Sequence, residues 1–429
     1  MAVNSGKRQD DYFDERETMS RDAREHFFSE QLARVVENTY RKSAVMKKRL
    51  DDAGVTPEMI QTVGDIEKLP ILKKTDLIDM QKANPPFGGI VTIPRDEIER
   101  IFISPGPVYE IQPSNVQFFA RSFRAAGFGK GDIVINTFTY HMSPAGMLFH
   151  EGIRACGATV VVAGTGNTDM QVQIMKDLGV NGFVGTPSFL MAVINRAAEL
   201  GLDPRKDLAV TKAWFTGEML SPSLRTIFEG EYGINTCQAY AVTEPGGCIA
   251  YECREKSGMH FMDDYIIEVI DPETGKQRCP GEVGEVVVTP IYSLDCGLLR
   301  FGTGDLSAFT DEPCACGRTS RRLTGIVGRT GDAVKVRGMF VVAKQAEQVI
   351  TGTGHISRYQ MLVDRINQRD ELILRVEAKE TDSDTTSVSE DIGRRFHAIC
   401  RVTIDRVEFV DKGVIPEDEQ GLIDRRKWV

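Results

Sequence analysis

At 429 residues the chain is too long for one small core, and at roughly 150 residues per domain it divides into two or three domains. Hydrophobic residues at 41% and charged residues at 27% are those of a soluble globular protein, and no apolar run is long enough to cross a bilayer. A net charge of −10, from 52 basic and 62 acidic residues, argues against nucleic acid or an anionic membrane as the main partner.

The start, Met1 to Asp14, is polar and lacks the apolar centre of a secretory signal, so a cytoplasmic location is expected. The nine cysteines are odd in number and scattered, which disfavours a disulfide framework and leaves metal binding or simple burial. From Asp22 to Ala53, Phe27, Phe28, Leu32, Val35, Val36, Tyr40, Val45, Met46 and Leu50 recur at helical spacing and predict a helical start. Leu69 to Leu77 reads as a proline turn feeding another helix, with Thr75 as its cap.

Between Gly129 and Val162, the strand Ile133 to Asn136, a helix from Gly146 to Cys156 and a second strand from Ala158 to Ala163 spell a parallel βαβ unit. The alternation repeats through Gly182 to Gly185, a helix from Ser188 to Glu199, and Ala213 to Phe215. After Glu244 the pattern changes to short strands between turn residues: Ile266 to Ile270, Gly284 to Val288 and Leu298 to Phe301. From Ala333 onward, strands at Leu372 to Val376 and Arg406 to Phe409 surround a helix from Thr385 to Ile399, and Lys379 to Ser389 is polar enough for a mobile loop.

The expected fold is therefore α/β: a large N-terminal domain with mainly parallel sheets plus a β-rich subdomain, and a small mobile α+β C-terminal domain. Its expected divisions are 1–332 (helical start 1–80, α/β body 81–245, β-rich part 246–331) and 333–429.

Four stretches carry chemistry. In Tyr240-Ala241-Val242-Thr243-Glu244 an aromatic ring can stack on a purine, a hydroxyl can reach a phosphate, and a carboxylate can hold Mg²⁺. Taken alone, Tyr240 is equally an ordinary strand-end aromatic and Glu244 a solvated acid. Thr216-Gly217-Glu218 leads from strand to helix, where open sheets present ligand loops, or else forms a plain turn capped by Ser221. Asp305 follows a glycine-flexed turn and can accept both hydroxyls of a ribose, or serve merely as a turn residue. Gly328 to Gly338, with Arg329, Asp332 and Lys335, reads as a hinge offering cations to a nucleotide, or as a charged linker.

In this order, and together with Asp65 to Pro70 and Gly185 to Ser188, these stretches resemble the acyl-adenylate-forming superfamily, and most closely its phenylacetate-CoA ligase family. The resemblance spans nearly the whole chain. It implies a large adenylate-forming domain, and a reaction in which a carboxylate and Mg·ATP give acyl-AMP, which coenzyme A then converts to a thioester. It also implies that Tyr240 stacks on adenine, Thr243 meets the α-phosphate, Glu244 binds Mg²⁺, and Asp305 holds the ribose with help from Arg329. Gly217 and Glu218 would border the nucleotide, Lys335 would join Thr243, Glu244 and Arg329 in catalysis, and Asp332 would be the pivot of the tail. The acyl pocket would lie near Phe138, Tyr140, His141, Gly146 and Gly217, suiting an aryl or arylacetic acid. The small-molecule partners would be the acid and coenzyme A, with a homodimer as the assembly to test.

Cys253, His260, Cys314 and Cys316 supply three thiols and an imidazole, the donor set of a closed structural zinc site, which some members of the resembled family also carry. Reduced, buried cysteines without metal are the alternative. Two features depart from the family pattern. Where a Ser/Thr/Gly-rich phosphate loop is expected, the chain has Ser104-Pro105-Gly106-Pro107-Val108-Tyr109-Glu110, with two prolines that remove N–H donors and an acid that repels phosphate. Near the C-terminus, Lys427 follows the arginine pair, whereas the family's adenylating lysine precedes it. Three readings follow: a CoA ligase with rearranged phosphate contacts, an enzyme of ATP-independent acyl or thioester chemistry, and a non-catalytic subunit that binds acyl-CoA or AMP.

Overall fold

The computed structural model describes residues 12–104, 108–336, 339–366, 369–379, 385–400, 402–417 and 421–426. The expected helical start is present as two helices, Arg21–Lys42 and Ala44–Asp52. Ser43 makes the break: its backbone is extended and its hydroxyl accepts the Met46 N–H, which caps the second helix. Leu32, Val35, Val36, Met46 and Leu50 turn inward from both helices into one apolar core with Leu69, Leu72, Leu77 and Phe301.

The next helix, Lys74–Ala83, starts one residue before the expected Thr75 cap. Lys73 occupies the cap position and Asp76 accepts its N–H at 3.3 Å. Just before it, the two-residue strand Leu72–Lys73 pairs in parallel with Phe301 and Gly302, which stitches the helical start onto the β-rich part.

The parallel strands are Thr159–Val162, Ile133–Asn136, Gly182–Gly185, Lys212–Phe215 and Asn235–Val242, adjacent in that order. The middle strands are buried on both faces, so they read as continuous apolar runs rather than alternating ones. The helices Ala145–Ala155 and Pro187–Glu199 flank them. The last of these strands folds back antiparallel onto Gly247–Glu252. From there one hydrogen-bonded path continues through Met259–Phe261, Arg322–Arg329, Phe301–Thr310, Gly284–Pro290 and Tyr265–Ile270.

Within this antiparallel half, the strand expected at Leu298 to Phe301 begins only at Phe301. Arg300 has φ 48°, a left-handed backbone that ends regular pairing, and its buried guanidinium is held 3.0 Å from Glu268. The Arg300 to Asp305 stretch is accordingly strand from Phe301 onward, and the turn read from its glycines is a bulge within that strand.

From Ala333 the chain builds a hairpin, Ala333–Val336 with Met339–Val342, and the helix Ala343–Thr351. A four-stranded sheet follows, ordered Arg406–Val410, Arg369–Ala378, Ile356–Ile366, Gly421–Asp424, covered by the helix Thr385–Cys400. Val336, Met361, Leu374, Ile392 and Phe396 form its own core. Part of the loop expected at Lys379 to Ser389 is helix, since Thr385 to Ser389 form the first turns of Thr385–Cys400, and 380–384 lie outside the described residues.

Candidate functional site

The Asn235–Val242 strand delivers Tyr240, 8% exposed, to the sheet's carboxyl edge. Its hydroxyl donates to Asp305 Oδ2 at 2.7 Å. Burial, reinforced by the Asp305 charge, drives the Tyr240 phenol well above its ordinary value, so it remains a donor. Asp305 stands opposite Arg329 across the Phe301–Thr310 and Arg322–Arg329 pair, and Arg329 Nε lies 3.1 Å from Asp305 Oδ1. Arg329 is 65% exposed, so it can leave this partner at little cost. Three residues picked out separately in the sequence therefore meet around one carboxylate.

The turn after this strand is closed by a 2.9 Å bond from Gly246 N–H to the Thr243 carbonyl, and Tyr292 donates to the Pro245 carbonyl at 3.1 Å. Thr243 is half-buried in this turn. Glu244, with a side chain only 4% exposed, is paired to Lys74 Nζ at 2.6 Å. In sequence Lys74 is marked only as one of a lysine pair at the head of a helix that follows a proline turn.

Beside Glu244, the hairpin Ile101–Ser104 with Val108–Ile111 occupies the position expected for a phosphate loop. Ser104 Oγ donates to Glu110 Oε1 at 2.6 Å, while Glu110 Oε2 is buried with no hydrogen-bond partner. Burial, with the Glu244 charge adding to it, pushes the Glu110 carboxyl up to about 8. Residues 105–107, which complete this loop, lie outside the described residues. Glu110 and Glu244 face a cleft whose other walls include Leu77, Tyr109, Tyr292 and Cys296.

Gly217 has φ 81°, which only glycine adopts without strain, and it turns the chain after Lys212–Phe215. Glu218 accepts Ser188 Oγ at 2.7 Å and the Ser188 N–H at 3.3 Å, tying itself to the first turn of the helix Pro187–Glu199, whose cap is Thr186. Ser221 caps the helix Pro222–Thr226 by accepting the Leu224 N–H.

Of the residues named for the acyl pocket, Phe138 lines a cleft of about 290 Å³ with Thr137, Thr165, Thr186 and Phe189. Gly217 adjoins it: a Cβ there would meet Thr186 and Phe138 at 3.7 and 3.8 Å. Tyr140 is tied instead to Asn136 at 2.8 Å and His150 at 3.3 Å, and burial pushes its phenol up to about 12. His141 is exposed. Gly146 is a packing glycine, because a Cβ there would sit 2.3 Å from the Thr139 carbonyl oxygen.

Lys335 lies in the Ala333–Val336 strand, but its side chain and that of Asp332 are outside the described atoms. Gly338 and Lys427 are outside the described residues.

At the far end of the antiparallel half, Cys253, His260, Cys314 and Cys316 place their ligand atoms within 4.8 Å of one another. The Cys253 and Cys314 sulfurs are 3.7 Å apart, and Cys316 Sγ is 3.4 Å from His260 Nε2. Tetrahedral zinc–sulfur bonds of about 2.3 Å imply sulfur separations of about 3.8 Å, so the set fits zinc. The Arg318 N–H donates to Cys316 Sγ at 3.4 Å, so the donor set is held together by hydrogen bonds as well as by the strands that carry it. Around the site, His260 Nδ1 contacts Ser320 Oγ at 3.3 Å. Arg318 pairs with the buried Glu17 at 2.6 Å and Tyr12 donates to the Cys316 carbonyl at 2.9 Å, so the metal-site loop anchors the N-terminal segment.

Residues 114–290 match the AMP-binding enzyme family and residues 338–426 the AMP-binding enzyme C-terminal domain. The phenylacetate-coenzyme A ligase of Thermus thermophilus is 30% identical, over 96% of this chain and 98% of that protein. The Escherichia coli enzyme of the same name is 28% identical, over 94% of each. A crystal structure of an open conformation of 2-hydroxyisobutyryl-CoA ligase, with an acyl-AMP and CoA, superposes with a TM-score of 0.86 at 24% identity, covering 95% of this chain and 93% of that one. The same ligase in its thioesterification state gives 0.71 at 24% identity, covering 97% and 93%. Among the described residues no helix is long and apolar enough to cross a membrane. The chain belongs to the phenylacetate-coenzyme A ligase family of AMP-binding enzymes, a family of acid–thiol ligases.

Proposed function

We propose that this protein is an AMP-forming carboxylate–CoA ligase acting on an aryl or arylacetic acid. The observation that carries the reading is the convergence of Tyr240 and Arg329 on Asp305, one turn away from the Glu244–Lys74 pair. In this scheme the acid's carboxylate oxygen attacks the α-phosphorus of ATP and releases pyrophosphate. The coenzyme A thiol then attacks the acyl carbon and AMP leaves.

Asp305 accepts the ribose hydroxyls, with Arg329 beside it, and Tyr240 borders the adenine together with the Gly217–Glu218 loop. Thr243 directs its hydroxyl to the α-phosphate. Mg²⁺, which neutralises the phosphate charge during transfer, would be held by Glu244. Lys74 then loses its carboxylate partner and is free to hold a phosphate, supplying a cation that the Ser104 to Glu110 hairpin does not. The acid occupies the cleft beside Phe138. Lys335 serves the second half-reaction as the unit 333–429 turns on the unit 1–332 about Asp332. Zinc at Cys253, His260, Cys314 and Cys316 is structural and touches no substrate.

A second reading rests on Glu110. Its hairpin sets a buried carboxyl beside Glu244 where the resembled pattern has phosphate-binding hydroxyls and N–H donors, which supports a family member that handles a preformed thioester without ATP. ATP–pyrophosphate exchange with a panel of aryl and short-chain acids separates the two. Acid-dependent exchange is expected. No exchange with any acid, alongside turnover of a preformed acyl-CoA, would replace the first reading with the second, and binding without turnover would make the chain a non-catalytic acyl-CoA or AMP binder.

A further inference from the structure

Asp305 sits on a bulge. The strands Gly284–Pro290 and Phe301–Thr310 pair Glu285 with Leu306 and Val287 with Gly302, so Thr303, Gly304 and Asp305 together face Val286 alone. Side chains, rather than ladder bonds, hold the extra residues. Glu285 Oε1 accepts the Gly304 N–H at 3.0 Å, and Thr303 Oγ1 donates to the Val286 carbonyl at 2.8 Å while accepting the Asp305 N–H at 3.1 Å. Gly304 has φ 75°, a conformation that needs such a restraint to persist as the single one.

Glu285 is 6% exposed and lies flat on this backbone: a Cβ on Gly302 would sit 2.7 Å from its Oε1. Its charge is disfavoured by burial and by Asp305, and is supported by the Gly304 N–H and Lys73. No packing need accounts for an acid there, since an apolar side chain would fill the same space between two sheet strands. What only an acceptor at this point can do is fix the Gly304 N–H.

We propose that Glu285 is a positioning residue of the ribose site, aiming Asp305 through the Gly304 N–H without touching the nucleotide. This rests on the assignment of Asp305 to the ribose made above. It predicts that Glu285 governs how well the protein distinguishes a ribose with hydroxyls from one without them.

The test is calorimetric titration of the full-length protein with AMP and with 2′,3′-dideoxy-AMP, which requires no adenylation. The wild type should bind AMP about tenfold or more tighter than the dideoxy compound. Glu285→Met, of similar volume but without the acceptor, should collapse that ratio to about threefold or less, and Glu285→Gln, which keeps a carbonyl oxygen, should preserve it. Gly304→Ala reaches the same bulge from the other side and should also collapse it, which keeps the test open if Glu285→Met does not fold. An unchanged ratio in Glu285→Met or Gly304→Ala, or an equal weakening of both ligands, overturns the proposal and leaves the ligase reading standing. A wild type that binds both nucleotides equally, or neither, overturns the ribose assignment itself.

Discussion

Lys74 Nζ lies 2.6 Å from Glu244 Oε1, although the two residues come from the first helical layer and from the turn after the last parallel strand. A lysine 39% exposed on an acid 4% exposed is a pair with one fixed and one movable member. If the movable member serves phosphate when the acid binds Mg²⁺, then Lys74→Met should raise the KM for ATP and reduce acid-dependent pyrophosphate exchange by about 10- to 1,000-fold, leaving the KM for the acid near wild type. Lys74→Arg should recover part of the loss. Full exchange activity in Lys74→Met would mean that the phosphates are held elsewhere.

Tyr240→Phe removes one hydrogen bond to a charged acceptor while keeping the ring. The expected cost in AMP binding is about 1.5–3 kcal/mol, read as a tenfold or larger rise in Kd. A Tyr240→Phe protein with unchanged AMP affinity would show that the hydroxyl orients nothing the nucleotide uses.

Elemental analysis of protein purified without added metal should give one zinc per chain. Cys314→Ser should lose it and unfold at lower temperature, because the same loop carries Arg318 against Glu17 and the Cys316 carbonyl against Tyr12. The stable fraction of Cys314→Ser should keep its AMP affinity, as the site is remote from Asp305. Stoichiometric zinc in that variant would exclude Cys314 as a ligand.

Glu110 gives a pH signature. The folded chain binds this proton more tightly than the unfolded chain, so Glu110 destabilises the fold increasingly as pH rises from the ordinary carboxylate range to about 8, and fully above it. Urea unfolding in the absence of Mg²⁺ should therefore show Glu110→Gln matching wild type near pH 4.5 and exceeding it by about 1–3 kcal/mol at pH 8.5, a range discounted for partial exposure. Equal stability at both pH values would show that Glu110 ionises normally.

The parallel half was legible because its strands, such as Gly182–Gly185 and Lys212–Phe215, are short apolar runs between helices with clear periodicity. In the tail, the amphipathic helix Thr385–Cys400 was visible, whereas the long strand Ile356–Ile366 and the helix Ala343–Thr351 carry mixed polar residues and escaped notice. Tyr240, Asp305 and Arg329 were found as motifs, but their meeting at one carboxylate is a matter of strand register. Lys74 and Glu285 could not be found that way, since each acts on a residue far along the chain. Gly146 shows a second demand on the same position: a Cβ there would come within 2.3 Å of the Thr139 carbonyl oxygen, a packing requirement that the sequence does not display.

The pairing of Leu72 and Lys73 with Phe301 and Gly302 imposes an order on synthesis. The helices Arg21–Lys42 and Ala44–Asp52 precede this edge by more than two hundred residues of chain. Leu32, Val36 and Leu50 can meet Leu69, Leu77 and Val108 early, but the part of their cover that comes from Ile266, Leu298 and Phe301 is missing throughout that interval. The nascent chain should therefore be a client of holding chaperones, and expression should respond to their supply more than a final stability measurement would suggest.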